Sequence, residues 1–473
     1  MKLRFFNTMG RIVEDFKTIE SGVVNMYCCG PTVYNYAHIG NLRAYLFDDI
    51  LRRTLEYAGY NVNHVVNITD VGHLTDDNDD GEDKMLKSSR ETGKSVWDIS
   101  KFFTEAFFKD IDNLNIVRPT VTPKATDHIQ EMINLIKRLE SRGFTYESAG
   151  NVYFDIDKFP DYGKLALRDR QDFSAGARIA VDPNKKNAHD FVLWFTKSKF
   201  EDQAMQWDSP WGRGYPGWHI ECSAMSMKYL GDQFDIHCGG IDHISIHHTN
   251  EIAQSEAATG KKWVNYWMHN EFLIMNKGKM AKSAGNFLTL DTLIEEGFDP
   301  LDYRYFSLGG HYRSQLQFTV ESLSSAKSAR ENLFDRVIQL KKDTNNTPSK
   351  SAGDLAKEYI AKFQDHISND LNTPMGLADL WLMLKDSKLS SEDKLYVVYD
   401  FDRILGFDLE NLSIPEERKV DDLDPEIKNI IDLRNTARSE KDWKKADELR
   451  DLLLSKGIAI KDTPSGTEWS KNV

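Results

Sequence analysis

The chain has no apolar run near the roughly 20 residues that a membrane-spanning helix requires. Its first residues, Met1-Lys2-Leu3-Arg4-Phe5-Phe6, carry charge and lead to no small-residue cleavage site, so no signal peptide is expected. Cysteine is scarce: Cys28, Cys29, Cys222 and Cys238 are the four among 473 residues. That excludes a disulfide scaffold and leaves free thiols or metal ligands in a reducing compartment, so a cytoplasmic location is expected. Basic charge is in deficit, with 60 Lys and Arg against 74 Asp and Glu and a formal net charge of −14. Such a surface repels a phosphate backbone over most of its area, and nucleic acid would have to be engaged by a local basic tract. No internal repeat is present. What remains is the composition of an ordinary globular protein, long enough for about two to four domains.

The hydrophobic pattern places a short buried strand at residues 22–29, broken by Gly30-Pro31-Thr32. Leu42, Tyr45, Leu46, Ile50, Leu51 and Leu55 then form a helical stripe over residues 41–57, and residues 63–69 read as a second strand. Strand, helix and strand make one βαβ unit, the start of a parallel, doubly wound α/β sheet. A further helix is predicted over 95–114. Pro119 and Pro123 then open an inserted α+β stretch running to about Trp211, with a helix at 126–141 and a strand at 151–156. The sheet is predicted to resume at Gly217, with a strand at 233–237 and a helix at 247–258, and a strand at 271–276 leads into a lysine-bearing loop. Glycine and proline are rare inside the stretches beyond Thr319, which read as a helical bundle (320–342, 355–369, 374–388, 393–406). A linker at 421–425 precedes a small tail module, 426–473, with two more helices.

Two segments suit phosphate chemistry. His38-Ile39-Gly40-Asn41 falls where the first helix of such a sheet begins, the usual ligand position in this architecture. There His38 and Asn41 can donate hydrogen bonds to a phosphate gaining charge, and Gly40 lets the backbone approach adenine closely. Lys279-Met280-Ala281-Lys282-Ser283 sets two lysines in a loop between Gly278 and Gly285, suited to closing on phosphates and neutralising a leaving pyrophosphate. Taken alone, each reads more simply as a helix start or a solvated loop. A third constellation is metal-like: Cys222, His237, Cys238, His243, His247, His248 and Glu251 fall within 30 residues. His247 and Glu251 share a helix face, which favours His247 over His248. With Cys222 and either Cys28 or Cys29 they would make a tetrahedral zinc set, and strand alternation allows only one of those two cysteines. An ordinary polar cluster is the competing reading. Residues 76–81 copy the start of a calcium loop, but Lys87 stands where the bidentate glutamate is needed, so a solvated acidic loop is expected there.

Together these segments resemble the cysteinyl-tRNA synthetases, a family of class I aminoacyl-tRNA synthetases, over nearly the whole chain. The resemblance is carried by Met26–Tyr34 leading into His38–Asn41, by Gly217–Met225, by Phe234–His237, by His247–Gln254, and in the tail by Lys441-Asp442-Trp443, Ala446-Asp447 and Asp462-Thr463-Pro464. It implies zinc ligands at Cys29, Cys222, His247 and Glu251. It implies an amino-acid pocket lined by Trp218 and His237, with Thr69 near the substrate amine. Asp242 and Gly40 would lie against ATP, His38, Asn41, Lys279 and Lys282 would act on its phosphates, and Arg438, Trp443, Asp447 and Asp462 would read the anticodon. The implied organisation is a Rossmann-like catalytic domain in two halves (1–118 and 212–258) around a connective insertion (119–211). A lysine-loop domain (259–318), a helical bundle (319–420) and an anticodon module (426–473) follow. Two positions depart from the family pattern: Asn41 replaces a histidine and Ala281 a serine, and residues 71–83 are more acidic than usual.

The activity so implied is ATP-dependent ligation of L-cysteine to tRNA(Cys) through a cysteinyl-adenylate. Zn2+ would select the substrate thiol, Mg2+ would accompany ATP, no membrane would be involved, and the chain would be a monomer. A cysteine-activating ligase that uses an amino-sugar acceptor shares the first half of that chemistry; the anticodon-like tail argues against it. A catalytically silent zinc-binding paralogue is disfavoured by the intact His38 and lysines.

Overall fold

A computed structural model describes residues 1–72, 85, 88–90, 93–167, 183–197, 205–275, 278–279, 288–414, 424–463 and 466–471. The acidic segment 73–83 and the lysine-motif residues Ala281, Lys282 and Ser283 lie outside these. The chain divides into two units, Met1–Asn411 and Leu412–Val473.

In the larger unit an antiparallel hairpin, β1 (Arg4–Asn7) and β2 (Ile12–Asp15), precedes the first sheet strand β3 (Val23–Cys28). Helix α1 (Ile39–Tyr57) follows. His38 and Asn41 start it with a reciprocal cap, and Gly59 releases it at φ 93°. Strand β4 (Asn61–Val66) then pairs with β3 in parallel. Beyond helix α2 (Val96–Asn113), residues 120–125 run back along β4. Val66 N–H donates to Val121 O and Ile68 N–H to Pro123 O, so the sheet edge is covered well past Pro119.

The insertion consists of α3 (Ile129–Ser141) and an antiparallel sheet of β5 (Thr145–Ser148), β6 (Asn151–Phe154), β7 (Phe191–Phe195) and β8 (Tyr215–Pro216). One face of that sheet buries a small cluster of its own, Tyr153, Val192, Phe195 and Tyr215, and the rest of the insertion shares the core of the parallel sheet. Leu135, Ile136, Phe154 and Trp194 pack in one cluster with Tyr27, Ile220, Phe234 and Trp267 of the parallel sheet and its helices. Helix α4 (Trp218–Leu230), strand β9 (Phe234–Gly240), helix α5 (His247–Thr259) and strand β10 (Val264–Asn270) complete the second half.

The parallel sheet has the order β10-β9-β3-β4. The chain winds outward from β3 to β4, returns to the other side of β3 with β9, and winds outward again to β10. The direction of winding therefore reverses between β3 and β9, and ligands of doubly wound sheets sit in the crevice at the carboxyl ends of such a pair. β10 is a full member of the sheet, so the sheet continues past the expected boundary at 258. The strand expected at 271–276 is replaced by a three-residue strand, β11 (Leu273–Met275), of a different sheet. Its partners are β12 (Gly278–Lys279) and, after α6 (Leu290–Glu295) and α7 (Pro300–Leu308), β13 (Leu316–Phe318).

The predicted bundle is present as α8 (Val320–Asp343), α9 (Asp354–Ser368), α10 (Thr373–Lys385) and α11 (Ser391–Leu405). It is tied to the sheet by Arg304, fully buried, whose Nη2 lies 2.6 Å from the equally buried Asp49 of α1 while Nε donates to Leu405 O. Gly406 faces this guanidinium with φ 70°, and a Cβ there would meet Arg304 Nη2 at 2.2 Å. The smaller unit holds α12 (Pro425–Ser439), α13 (Trp443–Ser455) and the hairpin β14 (Ile458–Thr463) with β15 (Gly466–Lys471), around Ile430, Ile431, Leu453, Ile460 and Trp469.

Candidate active site and metal cluster

A cavity of about 320 Å³ opens at the switch point between β3 and β9. One wall is the start of α1, with His38, Gly40 and Asn41; the other carries Cys29, Trp218, Cys222, Asp242 and His247. Thr69 lines it as well, its hydroxyl accepting from Asn67 Nδ2 at 2.9 Å.

The reciprocal cap decides which atoms of the first motif face outward. His38 Nδ1 accepts from Asn41 N–H at 3.0 Å, and Asn41 Oδ1 accepts from His38 N–H at 3.3 Å. A neutral His38 ring therefore carries its proton on Nε2, and the Asn41 side chain keeps its NH2 as the outward donor. Gly40 leaves room for that ring, since a Cβ would lie 3.0 Å from it. Of the lysine segment, Lys279 closes β12 as backbone, and Lys282 lies outside the described residues.

Cys29, Cys222, His247 and Glu251 bring one ligand atom each to within 4.8 Å of one another. Strand alternation explains the choice of sulfur. Tyr27 and its register partner His237 leave the sheet on the face covered by α4 and α5, and the chain continues to Cys29 on that side; Cys28 and its register partner Cys238 leave on the other. Glu251 Oε1 lies 2.7 Å from His247 Nε2 but forms no well-aligned hydrogen bond, so a buried carboxylate oxygen remains for another partner. Two sulfurs, one imidazole and one carboxylate are a donor set that fits zinc. A second set, Cys29, His237, His248 and Glu251, is equally close. There His248 is already engaged, with Nδ1 2.8 Å from His269 Nε2 and Nε2 3.3 Å from Cys29 Sγ. Cys29, Cys222 and His247 also line the cavity, whereas His237 and His248 do not.

Charge is distributed unevenly in this cluster. Burial would raise the Glu251 carboxyl, but the imidazoles of His247 and His237 outweigh it and hold the group below its ordinary range. Burial would lower His247, yet the Glu251 carboxylate carries it up to about 10. A hydrogen bond from Cys29 holds the Cys222 thiol below its ordinary value, while burial pushes Cys29 up.

One placement differs from expectation. His237 is fully buried and does not line the cavity; its Nε2 sits 2.7 Å from Glu251 Oε2, behind the carboxylate. His243, beside Trp218, lines the cavity along with His247, and burial lowers its value to about 4. The resemblance assigns His237 to the pocket and says nothing of the depth at which this chain buries it. In the smaller unit, Arg434 Nη2 lies 2.6 Å from Asp462, and Arg438 pairs with the same carboxylate. Trp443 is 59% exposed at the start of α13, with Asp447 one turn on. Arg434 carried no signal in the sequence beyond its charge.

A model of the class I (C) tRNA synthetase catalytic domain matches residues 15–328, and one of the cysteinyl-tRNA ligase anticodon-binding domain matches residues 420–469. The cysteine–tRNA ligase of Treponema denticola is 55% identical, covering 100% of both chains. That of Borrelia garinii subsp. bavariensis is 48% identical, covering 99% of each. Among solved structures, Mycobacterium tuberculosis methionyl-tRNA synthetase in complex with methionyl-adenylate superposes with a TM-score of 0.55 at 15% identity, over 84% of this chain and 92% of the other, a likeness of fold. By its matched domains and by identity along its full length, the chain belongs to the cysteine–tRNA ligases, class I aminoacyl-tRNA synthetases.

Proposed function

We propose that the chain activates L-cysteine with ATP as cysteinyl-adenylate and transfers the cysteinyl group to the 3′ end of tRNA(Cys), with a zinc ion held by Cys29, Cys222, His247 and Glu251. The observation that carries this reading is that one cavity is lined both by three of those four groups and by His38, Gly40 and Asn41. Zinc held there would supply a thiophilic centre that takes a sulfur ligand far better than a hydroxyl oxygen, which separates cysteine from serine in one binding step.

The remaining chemistry is positioning. The substrate carboxylate is already a nucleophile, so its attack on the α-phosphorus of ATP needs no base; the P–O bond to pyrophosphate breaks as the new one forms. His38 Nε2–H and the Asn41 NH2 are the donors available to the phosphate as charge builds up. Lys279 and Lys282 would neutralise the leaving pyrophosphate, and Asp242 on the same wall as Trp218 and His247 would lie near the adenosine. In the second step a ribose hydroxyl of the terminal adenosine attacks the carbonyl carbon and AMP leaves. Arg438, Trp443, Asp447 and Asp462 would meet the anticodon.

Pyrophosphate exchange tests the first half. Exchange driven by cysteine, silent with serine and lost on removal of zinc by a chelator, is the expected result. Equal exchange with serine would sink the zinc-selector reading. Adding tRNA(Cys) then separates this enzyme from a ligase with an amine acceptor, which would form no cysteinyl-tRNA.

A further inference from the structure

On the opposite face of the sheet from the metal cluster lies a second group of sulfur and carboxylate side chains that the proposed reaction leaves unused, both thiols fully buried and pushed up by that burial. Cys28 of β3 and Cys238 of β9 are register partners on adjacent parallel strands. Register partners leave a sheet on the same side, and here α1 covers that side and contributes Asp48. The two sulfurs and a carboxylate oxygen of Asp48 lie within 4.8 Å of one another, and all three side chains are buried. The Asp48 carboxyl accepts from both thiols, and its Oδ1 has no hydrogen-bond partner among the described residues. Asp48 also reaches the floor of the active-site cavity, so the buried pair lies one side chain away from that opening.

Two outcomes of such a trio can be weighed. Holding a divalent cation with two thiolates and a carboxylate would leave net negative charge in a fully buried site. Uncompensated buried charge costs several kcal/mol. A disulfide leaves no charge behind. The spacing of neighbouring strands, about 4.8 Å, falls inside the Cα window of about 4.4–6.8 Å that a disulfide spans.

We propose that Cys28 and Cys238 form an oxidisable dithiol, closed to a cross-strand disulfide by a small peroxide arriving through the cavity. One thiol sulfur attacks the peroxide; an S–O bond forms, the O–O bond breaks and water leaves, giving a sulfenic acid. The second thiol sulfur attacks that sulfur; the S–S bond forms, the S–O bond breaks and a second water leaves. Two thiols lose two electrons and two protons, and one hydrogen peroxide becomes two waters. The closure bears on the neighbouring site because Cys29 directly follows Cys28, and its N–H donates to Cys238 O at 3.2 Å. Drawing two sulfurs together to about 2.05 Å shifts β3 and β9 where both deliver cavity walls, and it removes both thiol donors from Asp48. Cysteine activation therefore slows in the oxidised form and returns on reduction. Cys29 and Cys222 are also close neighbours, and only in the metal-loaded enzyme, on the reading above, are their sulfurs withheld from the peroxide.

The test uses the full-length zinc-loaded enzyme, treated with one equivalent of hydrogen peroxide, alkylated and digested with trypsin. Cleavage after Lys228 separates Cys222 from Cys238, and one peptide ending at Arg43 carries Cys28 and Cys29. The expected result is a mass loss of about 2 Da per chain, with a fragment spectrum joining Cys28 to Cys238. Zinc content stays unchanged, pyrophosphate exchange falls by about tenfold or more, and both effects reverse with dithiothreitol. Cys28→Val and Cys238→Ala should each abolish the cross-link. The wild-type fragment spectrum decides without either variant, since it distinguishes Cys28 from Cys29. A bond through Cys29 or Cys222, sulfinic acid with no cross-link, or four free thiols after treatment would each overturn the proposal.

Discussion

His237 shows how one residue's role changes with its depth. It is fully buried, and its ring nitrogen lies 2.7 Å from Glu251 Oε2 while the other carboxylate oxygen is turned to His247. If Glu251 holds the proposed zinc, a side chain in that position would orient it rather than touch the substrate. His237→Ala should weaken zinc binding by about 10–100-fold, measured by competition with a chromophoric chelator, and the residual cysteine exchange at saturating zinc should still reject serine. A rise in the KM for cysteine with unchanged zinc affinity would restore His237 to the pocket wall. His64 of β4 offers a second measurement. It is buried with neither ring nitrogen partnered among the described residues, and burial takes its value down to about 3. For a base with a depressed folded value, the unfolded chain binds the proton first as pH falls through about 6.5. Stability is therefore lost on acidification, by about 1.4 kcal/mol per pH unit between roughly 6 and 4. Replacing it by the apolar side chain in His64→Leu should remove that component, so the Tm of the wild type should fall more steeply than that of the variant over this window. Parallel slopes would show that His64 is not the group responsible. The chemistry of the metal set was legible in the sequence because His247 and Glu251 are four apart on a helix; the burial of His64 and His237 was not, because it depends on which face of β4 and β9 another element covers.

Arg43 joins the two motifs at the scale of elements. It sits on α1 just beyond Asn41, is buried, and gives its guanidinium to backbone carbonyls alone: Glu271 and Phe272 at 2.7 Å, Ser314 at 2.7 Å and His311 at 3.2 Å. These carbonyls precede β11, the strand that leads into the lysine segment, and its parallel partner β13, and Ile39 N–H holds the far end of that segment by donating to Leu288 O at 2.9 Å. The helix that presents His38 thus grips both ends of the segment that carries Lys279 and Lys282. Arg43→Met should lower kcat for pyrophosphate exchange by about 10–100-fold, with zinc content and serine rejection unchanged; Arg43→Lys should recover part of it. Equal loss of kcat and zinc would indicate general unfolding instead. At this scale the sequence was most readable in helices: the apolar stripe of α1 and the scarcity of glycine and proline in the bundle placed them to within a few residues. It was least readable in β10 and β11. Strand β10 is buried along most of its length and lacks the alternation of a half-exposed strand, and it went unforeseen; the one strand expected nearby, 271–276, begins where β10 ends. The hairpin β1–β2 was missed because its value lies in long-range contacts, such as Asn7 Oδ1 accepting from Trp267 N–H, that no local pattern announces.

The whole molecule poses a question of charge. The acidic excess resides almost wholly before residue 426, since residues 426–473 hold ten Lys and Arg against nine Asp and Glu. Within the smaller unit Arg434 and Arg438 both pair with Asp462, so two of those ten cations are neutralised there, one of them at a residue expected to meet RNA. The two units have separate cores, which makes their contributions separable. A chain ended after Asn411 should keep cysteine-dependent pyrophosphate exchange within a factor of about three, because the cavity, the metal cluster and the helical bundle all lie in the larger unit. It should lose most charging of tRNA(Cys). The salt dependence then tells what the missing unit supplied. Each phosphate neutralised adds about 0.7–0.9 to the slope of log affinity against log salt. If a few local cations do the binding, the full-length slope is small, in the range of about two to five, and truncation lowers it by only one or two while affinity collapses. Asp462→Asn provides the internal check: freeing Arg434 and Arg438 from their carboxylate should steepen the slope and weaken discrimination between cognate and non-cognate tRNA together. A slope that stays flat in that variant, with discrimination lost, would mean that Asp462 meets the anticodon directly instead of setting the charge of its two arginines.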